Sequence, residues 1–300
     1  MAAFRSERFE FDERKAADPG SNPGRGIQVT SIGDVNVDIL SETIDKIEGE
    51  QKIVEKIKIK VGGGAANFAY WLSKLGMKVR LIGLIGNDYF GNFIKKELKS
   101  AGIDLKLKII DKPTGITLGI QFKDGSKKLI TFRGTNKFFS LKYIKFSEIK
   151  GKIVYFSGYN FLENLRKDLP FLLKKLKEKN KIISFDPDLK AGINFKIRDF
   201  LKTIEFVDII FLNEKEFSLI KNCLKKFEGV LVIKRGEKGA IAIKDREKIE
   251  VKGIRTKVKN PTGAGDIFNA AFIHHYYYGY DLGKCLKFAN IEAIKYLKTF

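Results

Sequence analysis

Toward its C-terminal end the chain reads Asn260-Pro-Thr-Gly-Ala-Gly-Asp266 and runs on into the apolar segment Ile267-Phe-Asn-Ala-Ala-Phe-Ile273. Gly263, Ala264 and Gly265 open a helix there, and the first N–H groups of a helix have no intrahelical acceptor. They make a ready anion site that a phosphate reaches without meeting a side chain. Asp266 sets a carboxylate beside it, placed to take the proton of a hydroxyl attacking phosphorus. An anion cradle next to a base is what phosphoryl transfer to an alcohol requires. Taken alone, the heptapeptide also fits a plain helix start with Asp266 as a favourable N-terminal charge.

A second cluster, Val61-Gly-Gly-Gly-Ala-Ala-Asn67, follows a strand pattern and opens another helix. Gly62 and Gly63 let a ligand approach the backbone, and the Asn67 amide both donates and accepts. The cluster lacks the Gly-Lys-Ser/Thr of a Walker loop and the third glycine of a dinucleotide fingerprint, so a tight strand-to-helix turn is its other reading. Upstream, Gly33-Asp-Val-Asn-Val-Asp38 puts Asn36 and Asp38 on one side of a strand, where neighbouring hydroxyls of a sugar could be held. Arg133, in Phe132-Arg-Gly-Thr-Asn136, closes a strand that returns toward the same place, and it is a candidate substrate contact or a solvated arginine.

These groups come from both ends of the chain, so a scaffold must gather them. Apolar runs at 27–32, 79–85, 153–157, 182–185, 207–212 and 230–233 predict buried parallel strands, with helices at 65–75, 89–100, 162–179 and 267–278 between them. That rhythm predicts an α/β fold with a doubly wound, mostly parallel sheet. Two stretches depart from it. Ile57, Ile59 and Val61 alternate with Lys56, Lys58 and Lys60, and Leu105, Leu107 and Ile109 alternate with Lys106 and Lys108, followed by strand patterns at 116–122 and 128–133. Half-exposed strands from about 37–61 and 104–134 are expected to form a small second sheet, serving as a lid or a dimer interface. Residues 1–26 have five basic and five acidic side chains and end in a Pro/Gly-rich run; they are expected to be a flexible extension or a cloning remnant, leaving 27–300 as one domain.

The 300 residues carry 57 Lys+Arg against 36 Asp+Glu, a net charge of +21. The excess is spread over the body, and only 11 of the basic residues are Arg, the side chain suited to bidentate phosphate and base contacts. No nucleic-acid-binding signature accompanies it, so a Lys-rich solvated surface is the reading and no nucleic-acid partner is expected. No run of about 18 apolar residues occurs, so no membrane span is expected. Cys223 and Cys285 are too few for a disulfide framework, which suits the cytoplasm. The pair His274-His275 points in two directions on a helix and is read as packing.

Together, Gly62-Gly-x-x-x-Asn67 and Gly263-Ala-Gly-Asp266 resemble the paired signatures of the ribokinase-like (PfkB) carbohydrate kinases. Gly33-Asp-Val-Asn-Val-Asp38, Gly86-Asn-Asp88-x-x-Gly91, Asn213-Glu-Lys-Glu216 and Gly236-Glu-Lys-Gly239 extend the likeness in order and spacing over roughly residues 27 to 298. The resemblance implies a Rossmann-like core with a β-sheet lid and an ATP-dependent kinase. It makes Asp266 the base and the Gly263, Ala264 and Gly265 amides the anion hole for the γ-phosphate. Asp38, Gly63 and Asn67 would hold the acceptor, and Lys234, Gly236 and Gly239 would line the phosphates and ribose. Asn290 would border the adenine, while Asn213 and Glu216, one helical turn apart, would organise Mg²⁺ through its waters.

Three departures qualify the likeness. Asn260-Pro261 stands where the family usually has Asp-Thr or Asp-Ser, which puts a monovalent-cation site in question. Lys190, after Phe185-Asp-Pro-Asp188, replaces the arginine expected in 2-keto-3-deoxygluconate kinases and disfavours that subgroup. The chain stops at Phe300, soon after the helix with Asn290, so the family's last strand is expected to be short or missing. The expected reaction is transfer of the γ-phosphate of ATP to a hydroxyl of a sugar or polyol. The alternatives are a nucleoside acceptor, with Phe68, Phe132 or Tyr159 as a stacking surface, a non-catalytic sugar sensor, and a nucleic-acid binder.

Overall fold

The computed structural model describes residues 26–189, 196–253 and 263–298. Nine strands form one sheet in the order β13-β12-β11-β10-β9-β8-β1-β4-β5. Its parallel part comprises β1 (Val29–Ile32), β4 (Val79–Gly86), β5 (Asp104–Ile110), β8 (Ile153–Ser157), β9 (Ile182–Asp186), β10 (Ile209–Asn213) and β11 (Val230–Lys234). At one edge β12 (Ala240–Lys244) and β13 (Glu247–Val251) add antiparallel. The six strands predicted from apolar runs are these parallel ones without β5, because a strand covered on both faces has little room for a polar side chain.

Each face of the sheet has its own apolar layer. On one, α1 (Gly64–Lys74), α2 (Tyr89–Ser100), α6 (Ala264–Tyr277) and α7 (Leu282–Lys298) pack on Val29, Tyr155, Phe211 and Val232. On the other, α3 (Glu163–Lys177), α4 (Ile197–Ile204) and α5 (Glu214–Ile220) cover Ile32, Phe156, Phe185 and Leu212. Among the buried polar residues are Asp34, Asn36, Asp38, Asp186, Glu216, Asn269 and Asn290. His274 and His275 lie buried under α7, with His275 stacked on Phe288 at 3.7 Å between ring centroids. Burial pulls both down to about 4, so at neutral pH they pack as uncharged rings.

The second sheet runs β3-β2-β6-β7, from β2 (Asn36–Ile44), β3 (Ile57–Gly62), β6 (Gly115–Phe122) and β7 (Lys127–Phe132). The 104–110 stretch does not join it. As β5 it pairs in parallel with β4 at the edge of the main sheet, with Leu105 and Leu107 against the core. Its other face is held by ion pairs such as Lys108–Glu148 at 3.0 Å. An edge strand is covered on one side only, so its alternation looks like that of a lid strand. The orientation of the true lid is also notable: Ile57, Ile59, Ile130 and Phe132 face outward and are exposed, while Asp38, Lys60 and Thr117 face the main domain.

Candidate active site

Open α/β sheets bind ligands beyond the carboxyl ends of their strands, where the order reverses. Here that place is next to β1, which has β4 on one side and β8 on the other. The chain leaving β1 turns at Gly33 and presents Asp34, whose carboxylate accepts from the N–H groups of Gly64 at 3.0 Å and Ala65 at 3.4 Å. Asp34 is thus the cap that α1 lacks in its own sequence, since its N-cap residue is Gly63 at φ +90°. A Cβ on Gly63 would lie 2.5 Å from the Asp34 carbonyl, so this turn needs a glycine. Burial and the neighbouring Asp188 push Asp34 up to about 6.

The same end of α1 carries Asn67, whose Nδ2 donates to Asp266 Oδ2 at 2.9 Å. Asp266 sits in the first turn of α6, which starts at Gly263 in the left-handed region at φ +91°. The first backbone bonds of that helix run from Asp266 and Ile267 to the Gly263 carbonyl. The three N–H groups before them have no intrahelical acceptor, the arrangement that can receive an anion. Burial first and Asp186 second drive Asp266 up to about 8, against the Asn67 hydrogen bond and the Lys234 charge. Asp186 is tied in turn to Lys234 Nζ at 2.8 Å and to Asn269 Nδ2 at 2.5 Å. Burial alone would lower Lys234, but Asp186 and Glu216 outweigh it and hold the ammonium protonated.

Across the lid, register places Lys60, Asp38, Thr117 and Thr131 side by side in one row over four strands. Asp38, Thr117 and Thr131 line a cavity of about 120 Å³ together with Asp34, Asn36 and Asn136. Asn136 locks the lid to the end of β1, donating to Asn36 Oδ1 and to the Val35 carbonyl and accepting from Val35 N–H. Gly62 backs Asp38, and Arg133 reaches the cavity rim with its guanidinium bonded to Glu163 at 2.8 Å.

A second cavity, of about 620 Å³, adjoins the first and shares Gly64, Leu129 and Asp188 with it. Its walls hold Gly263, Ala264, Gly265 and Asp266, the loop Lys234 to Gly239, Asn213 with Glu216, and Asn290 from α7. Asn213 and Glu216 form a capping box on α5, each side chain bonded to the other's backbone N–H at 2.9 and 2.7 Å. Burial, then Asp186, raises Glu216 to about 7. Asn290 lines the cleft, and its Nδ2 is buried without a protein hydrogen-bond partner among the described residues.

Every site residue expected from the sequence lies at one of these two cavities or, like Gly62 and Asn67, directly behind it. Residues 260–262 and Lys190 lie outside the described residues, as do residues 1–25. None of the three proposed stacking aromatics lines either cavity: Phe68 is fully buried against Tyr155 at 3.6 Å, and Tyr159 is packed with Phe185 and Phe200. Phe132 is exposed, on the outer face of the lid. Asp34, Lys60, Thr117, Thr131, Asn136, Asp186 and Asn269 were not singled out. Asn269, a lone polar residue in an apolar helix, and Asp186, beside a proline at a strand end, carried a signal; the threonines in an alternating strand did not.

The family model described as pfkB family carbohydrate kinase matches residues 27–293. A protein of Pyrococcus horikoshii described as an uncharacterized sugar kinase is 30% identical over 279 residues, covering 88% of this chain and 88% of its own length. Its crystal structure with ATP superposes with a TM-score of 0.76, covering 88% and 90% of the two chains. A nucleoside kinase of Methanocaldococcus jannaschii is 28% identical over 274 residues, 87% of each chain, and its structure has a TM-score of 0.74 over 90% and 91%. A 5-dehydro-2-deoxygluconokinase of Clostridium tetani is 26% identical over 317 residues, 95% of this chain and 88% of its own.

Proposed function

The chain belongs to the pfkB family of carbohydrate kinases, and from that premise we propose how its residues divide the work of moving the γ-phosphate of ATP to a sugar or polyol hydroxyl. The observation that carries the reading is Asp266, which lines the larger cleft beside the start of α6, is held by a hydrogen bond from Asn67, and sits where that cleft adjoins the smaller cavity through Gly64 and Asp188. In this assignment the larger cleft takes ATP, with Asn290 toward the base and Lys234, Gly236 and Gly239 along the ribose and phosphates. The smaller cavity takes the acceptor, its hydroxyls held by Asn36, Asp38, Gly63, Thr117, Thr131 and Arg133.

Asp266 in its ionised form accepts the hydroxyl proton as the oxygen attacks, while the Gly263, Ala264 and Gly265 amides hold the charge that spreads over the transferring group. Lys234, anchored by Asp186, adds a fixed positive charge beneath that helix start; a Cβ on Gly265 would sit 3.5 Å from its Nζ. Asp186, Asp188, Glu216 and Asp266 face a cleft whose buried cation is Lys234, a donor set that suits a divalent ion. Among the described residues no three His, Cys, Asp or Glu side chains are grouped to hold an ion directly, so Asn213 and Glu216 would hold Mg²⁺ through water. Bound there, Mg²⁺ would neutralise charge on the triphosphate.

A nucleoside acceptor is the second reading, favoured by the Methanocaldococcus relative. The small acceptor cavity and the burial of Phe68 and Tyr159 favour a single sugar ring over a ring with a base attached. Two further assignments complete the reading. The exposed isoleucines of the outer lid face support a homodimer through the lid. The free cysteines and small-molecule substrate support a cytoplasmic protein without a nucleic-acid partner, and among the described residues no helix is long and apolar enough to cross a membrane. The deciding experiment is a coupled ADP-release screen over pentoses, hexoses, inositols and nucleosides. Turnover confined to nucleosides would replace the first reading with the second, and no turnover with any acceptor would overturn both.

A further inference from the structure

Two asparagines from distant parts of the chain line the smaller cavity. Asn36 opens β2, and its neighbours on the adjoining strands are both glycines, Gly62 on β3 and Gly115 on β6. Asn136 lies 100 residues further on, buried in the single turn of 3-10 helix that follows β7. A Cβ on Gly115 would lie 2.4 Å from Asn36 Oδ1 and 2.8 Å from Asn136 Nδ2, so the two amides meet in a space that only a glycine leaves open.

The two ends of an amide are told apart by what they meet, since the oxygen only accepts and the nitrogen only donates. Asn136 is held by both backbone groups of Val35. Its Oδ1 takes the Val35 N–H at 3.1 Å, and its Nδ2 gives one hydrogen to the Val35 carbonyl at 3.1 Å. Turned over, it would set donor against donor and acceptor against acceptor. The second Nδ2 hydrogen goes to the side chain of Asn36 at 2.5 Å, and the atom that receives it must be Oδ1. With its oxygen committed, Asn36 has only Nδ2 to offer, and that group has no hydrogen-bond acceptor among the described residues. Beside it on the same face of β2, Asp38 lines the cavity with a group that takes hydrogens.

We propose, resting on the assignment of the smaller cavity to the acceptor, that Asn136 is a positioning residue that fixes the Asn36 amide as a hydrogen-bond donor. The site then reads two oxygens of the acceptor in opposite senses. The hydroxyl at Asp38 gives its hydrogen, and the group at Asn36 is recognised by its lone pairs. A hydroxyl meets that second demand and so does a carbonyl, so polyols and keto sugars both fit. A position stripped of its oxygen leaves the Asn36 donor unpaired against the ligand, which is the costly case.

The test uses the full chain with ATP and D-ribose, D-fructose, D-glucose, myo-inositol and adenosine, followed by the monodeoxy and monodeoxyfluoro derivatives of whichever has the highest kcat/KM. Fluorine accepts a hydrogen bond and cannot give one. At one ring position the fluoro derivative should outperform the deoxy derivative by about fivefold in kcat/KM, as for one neutral hydrogen bond. In Asn136→Asp the Asn36 amide must turn its nitrogen to the new carboxylate, and in Asn36→Asp the donor is gone while the contact with Asn136 is kept. The fluoro advantage should vanish in both, while Asn136→Asp keeps its affinity for the non-hydrolysed ATP analogue AMP-PNP. Comparing variants cancels the effect of fluorine on reactivity. A purely structural role for Asn136 would slow parent, fluoro and deoxy compounds alike and leave the advantage in place. That result, an advantage that persists in Asn36→Asp, or a wild type with no such position would overturn the proposal and leave the cavity assignment standing. Turnover of none of the five compounds would overturn both.

Discussion

Asn67 and Asp266 are 199 residues apart in the chain, yet Asn67 Nδ2 donates to Asp266 Oδ2 at 2.9 Å. The first turn of α1 and the first turn of α6 therefore meet at one carboxylate. A side chain donor on one oxygen fixes the orientation of the carboxyl and leaves the other oxygen to meet a hydroxyl proton.

Replacing Asp266 with Asn keeps the shape and the hydrogen bond from Asn67 but removes the base. Turnover should fall by about 10²- to 10⁴-fold, the usual worth of a positioned general base. AMP-PNP affinity, measured by titration calorimetry, should stay near wild type. Turnover within a factor of two of wild type would sink the assignment.

With Asp266 held near 8 by burial and by Asp186, kcat/KM should rise through an acid limb with its midpoint close to that value. Asn67→Ala removes a donor that lowers it, so the limb should move to higher pH; a limb that stays in place would show that another group controls it. Stability should have the opposite slope. The folded value lies above the ordinary 3.8, so the folded state binds the proton more tightly, and this stabilisation is lost as pH rises from about 4 through about 8. Asp266→Asn escapes that loss, so its melting temperature should gain on wild type between pH 5 and pH 8.5.

Lys234 and Asp186 form an ion pair with side chains 15% and 10% exposed. Lys234→Met strands the Asp186 carboxylate and should cost about 3–5 kcal/mol in urea unfolding, the range for breaking a buried pair. The double change Lys234→Met with Asp186→Asn should recover part of it. A single-variant loss under about 1 kcal/mol would show that solvent screens the pair.

Gly62→Ala tests the acceptor wall. Its Cβ would lie 2.0 Å from Asp38 Oδ1, so the carboxylate must move. Losing one hydrogen bond to a charged group should raise the acceptor KM by about 10- to 100-fold while AMP-PNP affinity holds. An equal loss for both ligands would mean that the lid, and not Asp38, had been disturbed.

Ile130 is 64% exposed on the outer lid face. In analytical ultracentrifugation the wild type should sediment as a dimer and Ile130→Glu as a monomer. A wild-type monomer at micromolar concentration would leave that face without a partner copy.

How much of this was legible in the sequence can be followed residue by residue. The core strands were readable because burial on both faces leaves uninterrupted apolar runs, as in Val230–Lys234. The glycine turns were readable because a positive φ, as at Gly63 and Gly263, excludes most other residues. β5 was misplaced because an edge strand and a lid strand are both half covered and alternate alike. Thr117 and Thr131 gave no signal because a threonine in a strand is common whether or not it faces a ligand.

The sequence by itself determined which groups are available for chemistry: a helix start with N–H groups to spare, a carboxylate beside it, and glycines where a ligand or another backbone can come close. These depend on residue type and local spacing, and both are written in one dimension. Only the tertiary structure decided what surrounds them. It placed Asp34 as the cap of a helix that begins 30 residues later, set Asp186, Lys234 and Asn269 under Asp266, and turned Lys60 inward and Ile59 outward. The physical reason is that burial, charge coupling and the choice of face are properties of neighbours brought together by folding. The burial that pushes Asp266 up to about 8, and the Asp186 charge that adds to it, come from residues dozens of positions away in the chain.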